Sequence, residues 1–227
     1  MTTVLIIGDT HCPGMRRGYV AFLQGVADEY EPGRVVHIGD LVDWHTISYH
    51  EKSPNAIGSI GEYKTAKRQV SKLYDAFPVC DWLIGNHDAL PLRQAASIGM
   101  PEDVLRDPTE LWNVPGWTAH ERFAHIEIDG VLYAHGDGGS GGMYGFANQA
   151  RTNFKSTVIG HYHGNAGVVW HCNPDYRVFG MAVGCGIDVH NPAFNYAKNH
   201  RRKPILGCGV VIDGKRAFFE PWLLRSR

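Results

Sequence analysis

Several features that would mark whole classes of protein are missing from this chain. No apolar run approaches the roughly 20 residues that a membrane-spanning helix needs, so no membrane role is expected. No basic segment followed by an apolar stretch precedes the first strand-like run, which argues against secretion. The five cysteines (Cys12, Cys80, Cys172, Cys185, Cys208) are odd in number and scattered, with no Cys-x-x-Cys pair. That spacing argues against both a zinc–thiolate site and a disulfide framework, and a reducing, cytoplasmic setting fits it best. Neither sign of charge dominates: 22 basic and 23 acidic side chains leave a formal net charge of -1. Composition therefore offers no argument for a nucleic-acid or anionic-membrane surface, and the short run Arg201-Arg202-Lys203 reads as a solvated loop.

The remaining bulk properties are those of an ordinary globular protein. With 227 residues, 44% hydrophobic and 20% charged, the chain is long enough for one sizeable α/β domain, and residues 1–227 are read as a single domain without linker or repeat. Its N-terminal half alternates strand and helix signals. Helices are expected from about Arg16 to Tyr30 and from about Glu62 to Phe77, between strand-like runs at Val4–Ile7, Val35–Ile38 and Trp82–Ile84. That β-α-β-α-β order implies parallel pairing with helices covering the faces.

In the C-terminal half, Phe123–Ile128 and Val131–Ala134 flank Asp129-Gly130, and Val210–Ile212 and Arg216–Phe219 flank Asp213-Gly214, both as hairpins. A helix is expected around Tyr144 to Phe154, and the Pro-punctuated segments His45–Ser59 and Ser97–Pro115 carry no clear assignment. The expected fold is α/β, with two mixed β-sheets packed as a sandwich and flanked by helices.

What the chain has in abundance is histidine, thirteen residues, and much of it falls in five short clusters. These are Gly8-Asp9-Thr10-His11, Gly39-Asp40-Leu41-Val42-Asp43, Gly85-Asn86-His87-Asp88, His135-Gly136-Asp137 and Gly160-His161-Tyr162-His163, each directly after a strand-like run. Strand ends deliver side chains to one rim of a sheet, so five such ends can meet as one site. Asp9 and His11 lie two apart, as do His161 and His163, and in extended chain alternate residues point the same way. Cys12 should then face away. Asp40 has two carboxylate oxygens and can bridge two cations, while Asn86 offers a neutral carbonyl oxygen. Oxygen and imidazole donors without thiolate suit Mn, Fe or Zn. The glycines ahead of the clusters allow tight turns and close approach of substrate. Each cluster alone is also a plausible turn or a hydrogen-bonded core histidine; their order and common position at strand ends favour one metal site.

As a set, the order Asp-x-His, Gly-Asp-x-x-Asp, Gly-Asn-His-Asp, His-Gly and Gly-His-x-His resembles the calcineurin-like metallophosphoesterase superfamily, over Asp9 to His163. The resemblance implies a four-layer α/β/β/α sandwich with two divalent metal ions at the strand ends, Mn²⁺ foremost and Fe, Zn or Ni as alternatives. Asp9, His11 and His163 would hold one ion, Asn86, His135 and His161 the other, with Asp40 bridging. His87 would not be a ligand but would protonate the leaving group, with Asp43 accepting its ring N–H to orient it. Asp88 and Asp137 are read as structural. The activity implied is phosphate-ester hydrolysis by direct attack of metal-bound hydroxide, without a covalent phospho-enzyme.

The sequence departs from the protein Ser/Thr phosphatases of that superfamily. They carry Arg-Gly after the second motif, where this chain has Trp44-His45. That difference leans the reading toward a phosphodiesterase with a nucleotide-like substrate, with a phosphomonoesterase or protein phosphatase as the alternative and a non-catalytic scaffold of the same fold as a further one. Arg16 and Arg17 are candidates to meet a phosphate, although a solvated helix start explains them as well. Trp44 and Tyr162 are candidates to stack a base, against the simpler reading of packing at the sheet rim. The loop Gly138-Gly139-Ser140-Gly141-Gly142 either moves over substrate or simply connects.

Overall fold

Alternation along the first strand sets the layering. The computed structural model describes residues 1–197 and 201–223. In β1 (Thr3–Ile7), Val4 and Ile6 face one side while Leu5 and Ile7 face the other, and all four are buried. A strand that is apolar on both faces belongs in the middle of a covered sheet.

The first sheet continues through β2 (Arg34–His37), β3 (Cys80–Leu83) and β4 (Trp117–His120). The second is built from β5 (Ile126–Ile128), β6 (Val131–Ala134), β7 (Thr157–Ile159), β8 (Ala166–Cys172) and β9 (Arg177–Val183). The chain then returns to the first sheet with β10 (Gly207–Ile212) and β11 (Arg216–Pro221). The resulting orders are β11-β10-β1-β2-β3-β4 and β5-β6-β7-β9-β8. Strands β1 to β4 pair in parallel, as do β6, β7 and β9, while β5, β8, β10 and β11 attach antiparallel.

Helices α1 (Tyr19–Tyr30), α2 (Ser59–Ala76), α3 (Leu90–Ser97), α4 (Pro108–Trp112) and α5 (Gly145–Asn153) complete the regular structure. Leu23 and Val26 of α1 and Ala66, Val70 and Leu73 of α2 pack with Leu5 and Ile7 on the outer face of the first sheet. Val4, Ile6, Val36, Ile38 and Leu83 meet Tyr133, Val158, Phe179, Met181 and Val183 between the sheets. Phe146 and Ala147 of α5 close the outer face of the second sheet against Ile159 and Ala182. The two-sheet sandwich flanked by helices matches the expectation from sequence.

Most expected elements appear with shifted ends. α1 begins at Tyr19 rather than Arg16 because the Arg16 amide is committed to the Gly186 carbonyl and Gly18 adopts a left-handed φ of 94°. The β5–β6 strand pairing starts only at Ile126, since Phe123 has a φ of 68° and leaves extended geometry. Its turn, Asp129-Gly130, has both residues left-handed, the geometry that suits a two-residue hairpin. Strands β4, β8 and β9 carried no sequence assignment.

Candidate metal centre

All five clusters lie beyond the carboxyl ends of parallel strands: Asp9 after β1, Asp40 after β2, Asn86 after β3, His135 after β6 and His161 after β7. The first two loops are zipped together by backbone hydrogen bonds. The His11 amide donates to the Asp40 carbonyl (2.8 Å), the Cys12 amide to Leu41 (2.8 Å) and the Asp43 amide back to Cys12 (3.0 Å). Within the second sheet, the Gly160 amide donates to the His135 carbonyl at 3.0 Å and extends the β6–β7 pairing by one step.

The side chains converge in two groups, Asp9–His11–His163 and Asp40–His135–His161, joined by a third, His11–Asp40–His87, that shares a member with each. His163 Nε2 lies 3.0 Å from Asp9 Oδ2 and 3.1 Å from His11 Nε2. Asp40 Oδ2 is 3.5 Å from His11 Nε2 and 3.4 Å from His135 Nε2, so it stands between the groups. Asn86 Oδ1 lies 3.1 Å from His135 Nε2. Adjacent donors on a metal about 2.0–2.2 Å away are themselves about 2.8–3.6 Å apart, so these spacings fit the edges of coordination polyhedra.

Tautomers support that fit. His135 Nδ1 lies 3.0 Å from the Ile38 carbonyl, an acceptor only, so Nδ1 carries the proton and the Nε2 lone pair faces the oxygens of Asp40 and Asn86. His11 Nδ1 likewise donates to Asp43 Oδ1 at 2.8 Å, leaving its Nε2 as a donor atom for a cation. Lone pairs facing lone pairs in a buried site call for positive charge between them, supplied by a proton or a metal.

The titration behaviour without metal gives the same message. Burial opposes charge on His135, yet Asp40 holds its pKa up to about 10. Burial alone would raise the carboxyls; instead His163 holds Asp9 below its ordinary value, and His135 and His87 hold Asp40 well below. His11 is lowered by burial and by His87, which favours the neutral ligand form. Both carboxylates also take a backbone N–H from another cluster: His161 to Asp9 Oδ2 (2.9 Å) and His87 to Asp40 Oδ1 (2.8 Å).

How the chain achieves this differs from strand alternation. His11, Asp40 and His161 have φ values of 44°, 49° and 62°, so the backbone turns left-handed at three of the donor residues. Such non-glycine conformations cost energy and persist where the surroundings enforce them. Asp9 and His11 do meet in one group, but His161 and His163 fall in different ones. Cys12 does face away, buried in the helix-side core.

Of the motif glycines, Gly39 takes the left-handed turn expected of it, with a φ of 112°. Gly39, Gly85 and Gly160 also make room for side chains of neighbouring clusters. A Cβ on Gly85 would lie 2.2 Å from Asp40 Oδ1, on Gly160 2.3 Å from Asp9 Oδ1, and on Gly39 2.5 Å from His135 Nδ1.

His87 stands beside the donors without sharing their closest spacings, its ring 4.5 Å from that of His11. The partner of its Nδ1 is the backbone carbonyl of Asp43 at 2.7 Å; the Asp43 carboxylate is 3.3 Å away and is engaged by His11. Asp43 thus touches both histidines, and its carboxylate bonds chiefly to His11. Asp88 accepts from the amides of Val42 and Gly85 (both 3.0 Å) and from Trp82 Nε1 (3.2 Å), tying the second and third loops to β3. Asp137 is paired with Arg122 at 2.7 Å. Both match the structural role expected of them.

Of the other candidates, Arg16 is paired with Asp188 (3.5 Å) and Arg17 faces solvent. Trp44 packs on Tyr63 and Trp112 within the helix-side core, and Tyr162 packs edge-on against His161. Three residues without motif signal also border the site. The His50 ring stacks near-parallel on His87, with centroids 6.0 Å apart. The Arg93 guanidinium lies over the Tyr49 ring at 4.8 Å and reaches the Asn86 carbonyl at 3.4 Å.

A two-sheet α/β sandwich with Asp, Asn and His donors gathered at its parallel strand ends is the architecture of metal-dependent phosphoester hydrolases. Residues 2–181 match the calcineurin-like phosphoesterase family, and the chain belongs to that family. No curated protein matches the chain. Among the described residues, no helix is long and apolar enough to cross a membrane.

Proposed function

We propose that this chain is a single-domain cytoplasmic phosphodiesterase acting on a nucleotide-like diester with two divalent metal ions, Mn²⁺ foremost and Fe, Zn or Ni as alternatives. The observation that carries the metal assignment is the position of His135 Nε2, 3.4 Å from Asp40 Oδ2 and 3.1 Å from Asn86 Oδ1, with Nδ1 held by the Ile38 carbonyl. Asp9, His11 and His163 are assigned to one ion, Asn86, His135 and His161 to the other, and Asp40 to both. Ions bound there supply a nucleophilic oxygen near neutral pH and neutralise charge on the phosphoryl group.

The leaving group falls to His87. Its Nδ1 proton is committed to the Asp43 carbonyl, so Nε2 is the nitrogen left to act. Burial opposes its protonation, but Asp40 and Asp43 hold its pKa up to about 9, favouring the form that can donate. As the P–O bond breaks, Nε2 passes its proton to the departing oxygen, which leaves as an alcohol. Asp43 is assigned to positioning, through its carbonyl for His87 and its carboxylate for His11.

The diester assignment rests on the second loop. Trp44 follows Asp43 where an arginine would hold a phosphomonoester dianion, and its ring is packed against Tyr63 and Trp112. The cytoplasmic assignment rests on the cysteines, all five of them unpaired. The test is hydrolysis of p-nitrophenyl phosphate against its bis-ester by the Mn²⁺-loaded protein. Faster turnover of the bis-ester is expected. Clear preference for the monoester overturns the diesterase assignment, and hydrolysis of neither overturns the enzyme assignment in favour of a scaffold.

A further inference from the structure

The segment after the second cluster is held far more firmly than an exposed loop requires. Buried Glu62 of α2 accepts from the His45 and Thr46 amides and from Thr46 Oγ1 (2.7 Å). Lys52 Nζ reaches the His45 carbonyl (2.7 Å) and Ser48 Oγ (2.9 Å), and His45 Nε2 accepts from the Ser53 amide at 3.3 Å. From α3, Gln94 Nε2 donates to the Ile47 carbonyl at 2.6 Å. A loop fixed at both ends and in its middle presents whatever it carries with little ordering cost on binding.

What it carries is Tyr49, 60% exposed, and His50, also exposed. Neither ring projects at random. His50 lies over the ring of His87, and Arg93 covers one face of Tyr49 while one of its N–H groups reaches the Asn86 carbonyl. Arginine has five N–H donors, so most remain for an anion. The result is an exposed tyrosine ring with a guanidinium over it, the guanidinium reaching the residue next to the histidine assigned to the leaving group.

We propose that Tyr49 and Arg93 form a nucleotide subsite beside His50 and His87, in which the exposed Tyr49 ring stacks a nucleobase and Arg93 binds the attached phosphate. This deepens the phosphodiesterase assignment and rests on it for the position of the scissile bond. Stacking on one aromatic side chain changes affinity by about five- to a hundredfold. An aliphatic phosphate ester would gain only the Arg93 contact.

The test is calorimetric binding of adenosine 5′-monophosphate and ribose 5-phosphate to the full chain in chelator, where no turnover interferes. Wild type is expected to bind the nucleotide at least about fivefold more tightly than the sugar phosphate. Tyr49→Ala should remove that preference, Tyr49→Phe should keep it, and Arg93→Ala should weaken both ligands alike. Tyr49 is exposed, so its loss leaves the core intact, and circular dichroism verifies this. Equal affinities in wild type, or a preference that survives Tyr49→Ala, overturn the subsite. Nucleotide binding as expected without hydrolysis of any phosphate ester by the Mn²⁺-loaded protein would overturn the enzymatic assignment instead and leave the subsite standing.

Discussion

Replacing Gly85 by alanine should damage the metal centre without touching a donor residue. A Cβ there would lie 2.2 Å from Asp40 Oδ1 and 2.4 Å from the Asp40 amide nitrogen. One contact is with backbone, so rotation of the Asp40 side chain cannot relieve both. Even with the Asp40 side chain rotated away, the two loops must part by about 0.6 Å to bring the backbone contact to the tightest tolerated distance. Asp40 Oδ1 is also fixed by the His87 amide at 2.8 Å, and Oδ2 stands between the two donor groups. A site that tolerates misplacement of only about 0.5 Å would then lose Asp40, the carboxylate proposed to serve both ions. We expect about 1–3 kcal/mol of destabilisation from overpacking and about a tenfold or greater loss of affinity for both ions. Gly25→Ala is the control, since nothing lies within 4 Å of that position in α1, and it should stabilise by about 0.5–1 kcal/mol. Thermal unfolding reads the first quantity, and elemental analysis after Mn²⁺ loading and desalting reads the second. Full metal content in Gly85→Ala would refute the packing argument, and loss of a single ion would refute the shared position of Asp40.

Three further outcomes follow from the geometry. His87→Ala should keep its metal and lose about 10²- to 10⁴-fold in turnover of an ester with a poor leaving group; unchanged turnover at full metal content would remove His87 from the chemistry. Asp43→Ala deprives the His11 Nδ1 proton of its acceptor and should lower metal affinity about 10- to 100-fold, as read by competition with a chelating dye; an effect on turnover alone would mean that Asp43 serves only His87. His37 is buried and its pKa is pushed down to about 3, with Nε2 contacting Thr10 Oγ1 at 3.1 Å. Below the ordinary histidine pKa of about 6.5 the unfolded chain takes up a proton that the folded chain refuses, so stability falls as pH falls. His37→Gln, which keeps an Nε2 donor, should flatten that decline by up to about 1.4 kcal/mol per pH unit in denaturant titrations between pH 6.5 and pH 5; parallel profiles would exclude His37 as the source.

Periodicity and motif order made much of this molecule legible, for reasons visible at particular residues. Val4–Ile7 reads as a strand because it is apolar on both faces, and that same property places it centrally between α1 and the second sheet. Asp129-Gly130 reads as a hairpin turn because both positions need positive φ. β8 escaped because residues such as Trp170 and His171, at its antiparallel edge, lack a clean buried face, and β9 because its run from Val178 to Val183 is broken by Gly180. That glycine is required by packing: a Cβ would lie 2.4 Å from the Phe146 carbonyl of α5.

Motif order, through the family resemblance, carried the grouping of the donors that the structure displays, whereas strand alternation did not, and the difference has one physical origin. Alternation in extended chain would send His161 and His163 to one ion, yet His161 is left-handed and the two part company. Nothing local to Gly160-His161-Tyr162-His163 dictates that turn. It is enforced from elsewhere, by the His161 amide bonding to Asp9 and by the Gly160 amide bonding to His135, contacts that span 152 and 25 residues of chain. The same holds for Asp43, whose carboxylate turns to His11 because the first two loops are zipped through Cys12 and Leu41. Residues that supply the chemistry are therefore named by their type and order. Which of them stand together is decided by long-range backbone pairing, and the glycines preserve that pairing by leaving room for the neighbouring cluster. A substitution at Gly39, Gly85 or Gly160 should on this basis disturb the centre more than one at Asp88 or Asp137, although only the acidic pair could be mistaken for ligands.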